Sequence, residues 1–357
     1  MIKKIAVLGL GKVGSLVATL LSEKYDVTGM DRFDIEEKLP FQVVVGNVSD
    51  EKAMREFLKD KDAVVSCLPY FLNIDIAEIA VAMGVHYFDL TEDVPTLNAI
   101  QAMAADSKSV LAPQCGLAPG FIGILGAGLY SQFSEIRSVK LRVGALPLHP
   151  MGQLGYSFTW SAEGVINEYL NDAEVIHNGD RKMRSSLDDV EEININGRKY
   201  EAFLTSGGLG TMCETLDGKV DTLNYKTMRY PGHRDAMKLL LYDLLLKNDR
   251  KLAKDILNKA LPLVDDDIVL VYAAVEGVMD GELRRKEFSE SYRKITLDNK
   301  EWRAISWTTA CSISAVVDMV SEGKLKEKGF VKQEEIPFDM FITSHFGSMY
   351  ETYKDPK

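Results

Sequence analysis

Gly9-Leu10-Gly11-Lys12-Val13-Gly14 sets three glycines at GxGxxG spacing, directly after the apolar run of residues 4–8. A strand followed by such a turn and then a helix is the context in which glycines let the backbone approach a pyrophosphate. The unpaired N–H groups at the helix start would hold the anion, with Lys12 and Val13 inside the turn. Seventeen residues after Gly14 stands Asp31, at the end of the second β-rich run, where a carboxylate can accept hydrogen bonds from the adenosine ribose. An aspartate there repels a 2′-phosphate and favours NAD. Arg32 leaves NADP open, because a guanidinium at the same rim could hold that phosphate or stack on adenine.

In a doubly wound sheet, ligands bind beyond the carboxyl ends of the strands. Here those ends carry Gly46-Asn47-Val48 and Cys67-Leu68-Pro69-Tyr70, expected to flank the adenosine and the middle of the cofactor. They also carry Asp89 to Asp93, with Leu90 among them, and Pro113 to Phe121, expected at the nicotinamide. Asp89, Glu92 and Asp93 would suit a substrate that is cationic near its reacting atom. Alternatively, Asp89 caps the following helix and Glu92 and Asp93 are solvated first-turn acids. Farther along, Lys226-Thr227-Met228-Arg229-Tyr230-Pro231-Gly232-His233-Arg234 is the densest polar stretch. Arg229 could hold a carboxylate bidentately, Thr227 and Tyr230 could donate hydrogen bonds, and His233 could exchange a proton near neutral pH. The alternative is a surface loop with a Pro-Gly turn.

The elements that must position these residues follow from periodicity. Residues 4–8, 26–30, 42–45, 62–66, 85–88 and 108–112 read as strands. Between most of them lie helical patterns, clearest in Val13, Leu16, Val17, Leu20 and Leu21. The alternation predicts a Rossmann doubly wound parallel sheet over residues 1–120. Residues 121–300 change to longer strands with hairpin signals at Asn196-Gly197 and Asp280-Gly281. That predicts an α+β substrate domain on a mixed, largely antiparallel sheet. Within residues 301–357, ISWTTACSISAVVDMV (305–320) is uncharged until Asp318, a helix expected to be buried nearly all round and to return to the first domain.

Composition narrows the classes. The 357 residues are 46% hydrophobic and 27% charged, which excludes disorder, collagen and coiled coil. The net charge of −11 and the lack of a basic stripe argue against nucleic acid and anionic membranes. No segment looks apolar for long enough to span a bilayer, and the N-terminus lacks a cleavable signal, so a cytoplasmic protein is expected. Cys67, Cys115, Cys213 and Cys311 show no CxxC pairing, so neither a metal site nor a disulfide framework is expected.

Taken together, the chain resembles the saccharopine dehydrogenase-like family, most closely its lysine 6-dehydrogenase branch. The resemblance rests on GLGKVG (9–14), HYFDL (86–90), GLAPGF (116–121), VGALPLHP (143–150), WSAEGVINEY (160–169), EAFLTSGGLGT (201–211) and YKTMRYPGH (225–233). It implies a Rossmann domain, a mixed-sheet substrate domain, a homodimer, and NAD(P)-dependent chemistry at the CH–NH bond of an amino acid or related amine. Oxidative deamination of L-lysine is the activity expected from it. Under that reading His233 or Asp89 takes a proton from the amine, Glu92 or Asp93 stabilises the developing iminium, and Arg229 anchors the carboxylate. Thr91-Glu92-Asp93 and Gln114-Cys115 depart from the lysine dehydrogenase pattern, where glycines with a histidine and an acidic residue are expected. The alternatives are an NADPH-dependent imine reductase of the saccharopine or carboxynorspermidine type, and a non-catalytic dinucleotide-binding regulator.

Overall fold

The computed structural model describes residues 1–105, 107–158, 160–261 and 264–356, and the chain divides into two compact units. The first comprises residues 1–124 and 306–352, the second 125–305 and 353–357.

In the first unit, strands β1 (Lys4–Leu8), β2 (Asp26–Asp31), β3 (Gln42–Val45), β4 (Ala63–Ser66), β5 (His86–Asp89) and β6 (Val110–Ala112) fall where the sequence places them to within two residues. All are parallel, in the order β6-β5-β4-β1-β2-β3, and Gly329–Phe330 adds a seventh strand beside β6. Chain order reverses between β1 and β4, which is the switch point where such sheets bind ligands. Helices α1 (Gly14–Leu21), α2 (Glu51–Leu58), α3 (Asn73–Met83) and α4 (Val94–Met103) form the crossovers. Buried Leu8, Met30, Val64, Ile76, Tyr87 and Leu111 belong to one core cluster beneath them.

Helix Ala304–Ser321 is long and apolar enough to cross a membrane by length and composition, contrary to the sequence expectation. Its apolarity instead serves a core, since 83% of the helix is buried. The C-terminal segment stacks Tyr350 on Phe121 at 3.7 Å between ring centroids and donates the Tyr350 hydroxyl to the Thr308 carbonyl at 2.6 Å. The buried Asp318 is paired with Lys24 at 2.6 Å and accepts the Tyr25 hydroxyl at 2.5 Å. A charge so placed would be costly unpaired.

The second unit is built on β7 (Glu135–Pro147), β8 (Ala173–His177), β9 (Asp180–Arg184), β10 (Glu191–Ile195), β11 (Arg198–Leu204), β12 (Val220–Arg229), β13 (Asp267–Met279) and β14 (Glu282–Arg293). The order is β10-β11-β12-β7-β13-β14, with β8 and β9 extending from β12. Among the described residues only β7 and β12 pair in parallel, so the sheet is mixed and largely antiparallel, as expected. Both predicted hairpins form: Asn196-Gly197 and Asp280-Gly281 all take positive φ, between 51° and 79°. Two successive left-handed residues match the right-handed twist of the flanking strands, which is why Asn-Gly and Asp-Gly are strong signals.

Candidate active site

The glycine loop between β1 and α1 separates into two structural glycines and one open one. A Cβ at Gly9, which has φ +82°, would lie 3.0 Å from the Cys67 carbonyl oxygen. One at Gly14 would lie 1.8 Å from the Gly9 carbonyl oxygen, so the start of α1 presses on the strand end. Gly11 is exposed, and a Cβ there would meet nothing within 4 Å. The loop therefore leaves open space at Gly11 beside a helix N-terminus, the cradle a pyrophosphate requires. Asp31 sits under the loop, its carboxylate accepting the N–H groups of Leu10 at 2.8 Å and Phe33 at 3.0 Å. Each oxygen keeps a lone pair for a ribose hydroxyl. Arg32 is exposed, its guanidinium 4.6 Å from the centre of the Phe33 ring.

Farther along the same carboxyl edge, Asn47 is exposed and its side chain accepts the Ser49 N–H at 3.1 Å, closing the turn after β3. Val48 and Leu68 pack against the core beneath, and Pro69 is exposed. Burial pushes the Cys67 thiol up to about 12 and raises that of Cys115 as well, so neither is a thiolate at neutral pH. Leu90 approaches Gly116, its side chain 3.6 Å from where a Gly116 Cβ would stand.

The three acids at and just beyond the end of β5 occupy three different states. Asp89 is buried and accepts the Tyr87 hydroxyl at 2.8 Å and the N–H groups of Thr91 and Gln114 at 2.9 Å each, joining the ends of β5 and β6. Burial pushes its carboxyl up to about 6 against those three bonds. Asp93 caps α4, accepting the N–H of Thr96 at 3.0 Å and its hydroxyl at 2.7 Å. The helix-capping alternative thus describes Asp93 rather than Asp89. Glu92 is half-buried and carries neither kind of commitment. Burial, with the Asp93 and Asp89 charges beside it, pushes its carboxyl up to about 7. A carboxyl tuned to that value is suited to proton exchange at neutral pH.

In the second unit, Arg229 ends β12 with its side chain buried. Its Nε donates to the Tyr169 hydroxyl at 3.0 Å and its Nη1 to the Met228 carbonyl at 2.9 Å. The guanidinium lies 4.6 Å from the centre of the Tyr156 ring. Among the described residues no carboxylate lies within ion-pair distance of it, and Nη2 has no acceptor. The buried Glu168 carboxylate stabilises the guanidinium through space but does not pair with it directly, which leaves Nη2 able to receive a further anion.

His233, expected as a base, is sealed instead. It is 1% exposed, stacks parallel to Phe203, and has both ring nitrogens engaged, by Tyr169 at 3.0 Å and the Leu154 carbonyl at 2.9 Å. Burial and the Arg229 charge push it down to about 3. The Tyr230 hydroxyl donates to the Pro147 carbonyl at 2.8 Å, and Thr227 shares a 2.7 Å hydrogen bond with Thr205. Residues 226–229 are therefore buried strand and His233 begins a helix, while Pro231-Gly232 between them forms the exposed Pro-Gly turn of the alternative reading. Sequence reasoning missed Tyr169, although it closes the WSAEGVINEY segment; a tyrosine at the end of an apolar helix face gives no local sign of its partner.

A glycine loop at the switch point of a parallel sheet, joined in one chain to a mixed-sheet unit with a buried unpaired arginine, defines a two-unit dinucleotide-binding protein. Residues 5–113 match the saccharopine dehydrogenase NADP binding domain, and residues 116–348 match the saccharopine dehydrogenase C-terminal domain. The chain belongs to the saccharopine dehydrogenase family, and its first unit carries that family's NADP-binding domain. It is 25% identical over 256 residues to the mitochondrial alpha-aminoadipic semialdehyde synthase of Rattus norvegicus, covering 66% of this chain and 27% of the relative. It is 22% identical over 231 residues to the Saccharomyces cerevisiae saccharopine dehydrogenase (NADP+, L-glutamate-forming), covering 60% of this chain and 50% of the relative. The chain spans no more than half the length of these two curated relatives. Among solved structures, the apo saccharopine dehydrogenase (L-Glu forming) of S. cerevisiae covers 99% of each chain with a TM-score of 0.78 at 17% identity. The homospermidine synthase of Legionella pneumophila in complex with NAD reaches 0.66 at 14% identity, over 98% of this chain and 89% of that one. These two likenesses show the fold.

Proposed function

We propose that the chain is an NAD(P)-dependent oxidoreductase acting on the CH–NH bond of an amino acid. The observation that carries this reading is the buried Arg229 guanidinium, which has no ion-pair partner among the described residues and an unspent Nη2. Such a group calls for a substrate carboxylate, which an amino acid has and a simple diamine lacks.

The residues of the chain divide the work. Gly11 and the start of α1 receive the pyrophosphate, Asp31 the ribose, and Arg32 the 2′-phosphate where NADP is bound. Bound NADP supplies the hydride acceptor, and its reduced form the donor in the reverse direction. Oxidation requires the substrate amine to be neutral, because an ammonium has no lone pair to assist departure of hydride from the adjacent carbon. Glu92, pushed up to about 7, takes that proton, and its carboxyl returns it in the reverse direction. Asp89 holds the ends of β5 and β6 together and adds negative potential where positive charge develops. Arg229, in the second unit, is the group that would hold the carboxylate.

Two amino acids fit the finer reading. L-lysine, oxidised at its terminal amine, is the substrate that the branch resemblance implies. Saccharopine, formed by imine reduction or oxidised to release L-glutamate, is favoured by the names of the curated relatives and by the NADP-binding match. Absorbance of reduced nicotinamide separates them: purified chain with NADP or NAD is offered lysine, saccharopine and 1,5-diaminopentane. Turnover of either amino acid but not of the diamine is expected. Turnover of the diamine alone would overturn the carboxylate reading. A cytoplasmic homodimer completes the proposal, checked by sedimentation and by fractionation.

A further inference from the structure

We propose that His233 is a positioning residue which, through Tyr169, sets the orientation of the Arg229 guanidinium and so its selectivity for a carboxylate. The inference rests on the reading of Arg229 as the substrate anchor.

The direction of each hydrogen bond follows from what each atom can do. The Leu154 carbonyl only accepts, so the ring nitrogen facing it at 2.9 Å, Nδ1, must carry the proton. Nε2 is then a lone-pair acceptor, and the Tyr169 hydroxyl, 3.0 Å away, must donate to it. That leaves the Tyr169 oxygen free to accept, which it does from Arg229 Nε at 3.0 Å. The chain therefore runs one way: Arg229 to Tyr169, Tyr169 to His233, His233 to Leu154. Met228 holds Nη1 at 2.9 Å, so two of the three guanidinium nitrogens are fixed and Nη2 keeps both of its hydrogens.

The packing makes the arrangement rigid. The His233 ring lies within 6° of parallel to Phe203 and edge-on to Tyr156 and Tyr169, and all four are buried. Arg229 in turn lies against Tyr156. The titratable groups set against the imidazole are Tyr156, Tyr169 and Arg229; Arg229 together with burial keeps the ring neutral. A protonated ring would present N–H at both nitrogens, turn the Tyr169 hydroxyl round and remove the acceptor from Arg229 Nε. The segment 230–234 that carries His233 is pinned independently: Glu201 accepts the N–H groups of Gly232 at 3.0 Å and Arg234 at 2.6 Å. Replacing the ring therefore leaves the backbone turn its own support.

The test uses the full chain saturated with NADPH, which cannot accept hydride from the amine, and compares binding of L-lysine with 1,5-diaminopentane, the same molecule without its carboxylate, by calorimetry. The variants are Tyr169→Phe, His233→Phe and His233→Gln. Wild type should prefer lysine by at least about tenfold, and Tyr169→Phe and His233→Phe should each lower that preference by about tenfold. His233→Gln, whose amide oxygen can accept from Tyr169, should recover most of it, and NADP affinity should be unchanged throughout. A general packing role would not discriminate Gln from Phe in this way. An unchanged preference in folded Tyr169→Phe and His233→Phe would overturn the inference.

Nitrogen NMR reads the network without any substrate. His233 should hold the Nδ1–H tautomer from pH 5 to 8, and Tyr169→Phe should shift the Arg229 Nε–H resonance. Titration of His233 near its ordinary value, or an unmoved Arg229 resonance, would overturn the inference by itself. If wild type shows no preference for lysine while both NMR results hold, Arg229 is not the substrate anchor and the selectivity part of the inference falls with that reading.

Discussion

Replacing Gly11 with alanine separates cofactor binding from folding, because the structure leaves room for the methyl group. Nothing lies within 4 Å of a Cβ at Gly11, so the folded chain should tolerate it, with stability within about 0.5 kcal/mol of wild type. A gain is possible from the loss of unfolded-state freedom. The same methyl group would stand in the space assigned to the pyrophosphate. Forcing an extra methyl into a close-packed contact costs about 1–3 kcal/mol, which corresponds to a rise of about 5- to 150-fold in Kd for the dinucleotide. Gly14→Ala is the contrasting variant. Its methyl would lie 1.8 Å from the Gly9 carbonyl oxygen, an overlap only movement of α1 can relieve, so it should lose stability by upwards of about 2 kcal/mol. Fluorescence titration with NADPH gives Kd, and urea unfolding of the same samples gives stability. A Gly11→Ala chain that binds NADPH as tightly as wild type would refute the placement of the pyrophosphate. A Gly14→Ala chain as stable as wild type would refute the close approach of α1 to the strand end.

Other variants test other parts of the site. Glu92→Gln should lower kcat/KM by about 10²- to 10⁴-fold and remove the acidic limb that wild type shows as pH falls below about 7; a limb that survives assigns the base elsewhere. Because the Glu92 carboxyl is raised when folded, its stability contribution is present at low pH and lost as pH rises through about 7. The same variant should therefore be more stable at pH 8 by about 1 kcal/mol, after allowing for its partial exposure. His233 behaves in the opposite sense: its folded value is depressed, so its contribution is present above about 6.5 and lost as pH falls towards about 3. His233→Phe should consequently lose less stability than wild type between pH 7 and 4.5, by about 2–3 kcal/mol at a slope of about 1.4 kcal/mol per pH unit, and parallel curves would refute the buried neutral ring. Arg32→Ala should weaken NADP binding more than NAD binding, measured as the ratio of the two dissociation constants; an unaltered ratio places the 2′-phosphate away from Arg32.

Legibility varied with the range of the interaction. Six strands of the first unit, helix α1 and the turns at Asn196-Gly197 and Asp280-Gly281 were readable because each depends on residues within a few positions of one another. Helix Ala304–Ser321 was readable as buried from its lack of charge, while its serines and threonines hide a mean hydropathy high enough for a membrane span. Asp89, Glu92 and Asp93 were all visible as acids at a strand end. The Asp93 cap on Thr96, three residues on, is a local pattern, whereas the tie from Asp89 to Gln114 spans 25 residues and the burial that raises Glu92 is set by the fold, so neither was visible.

The sequence by itself determined the glycine turn and the parallel and mixed sheets, since spacing and local chemistry set them. Tertiary structure alone decided that His233 is not exposed to accept a proton. Sixty-four residues separate it from Tyr169, which lies sixty from Arg229, and no local pattern encodes contacts at such range. Folding buries the imidazole among aromatic rings beside a fixed positive charge, and that environment, not the residue type, determines which protonation state it can hold.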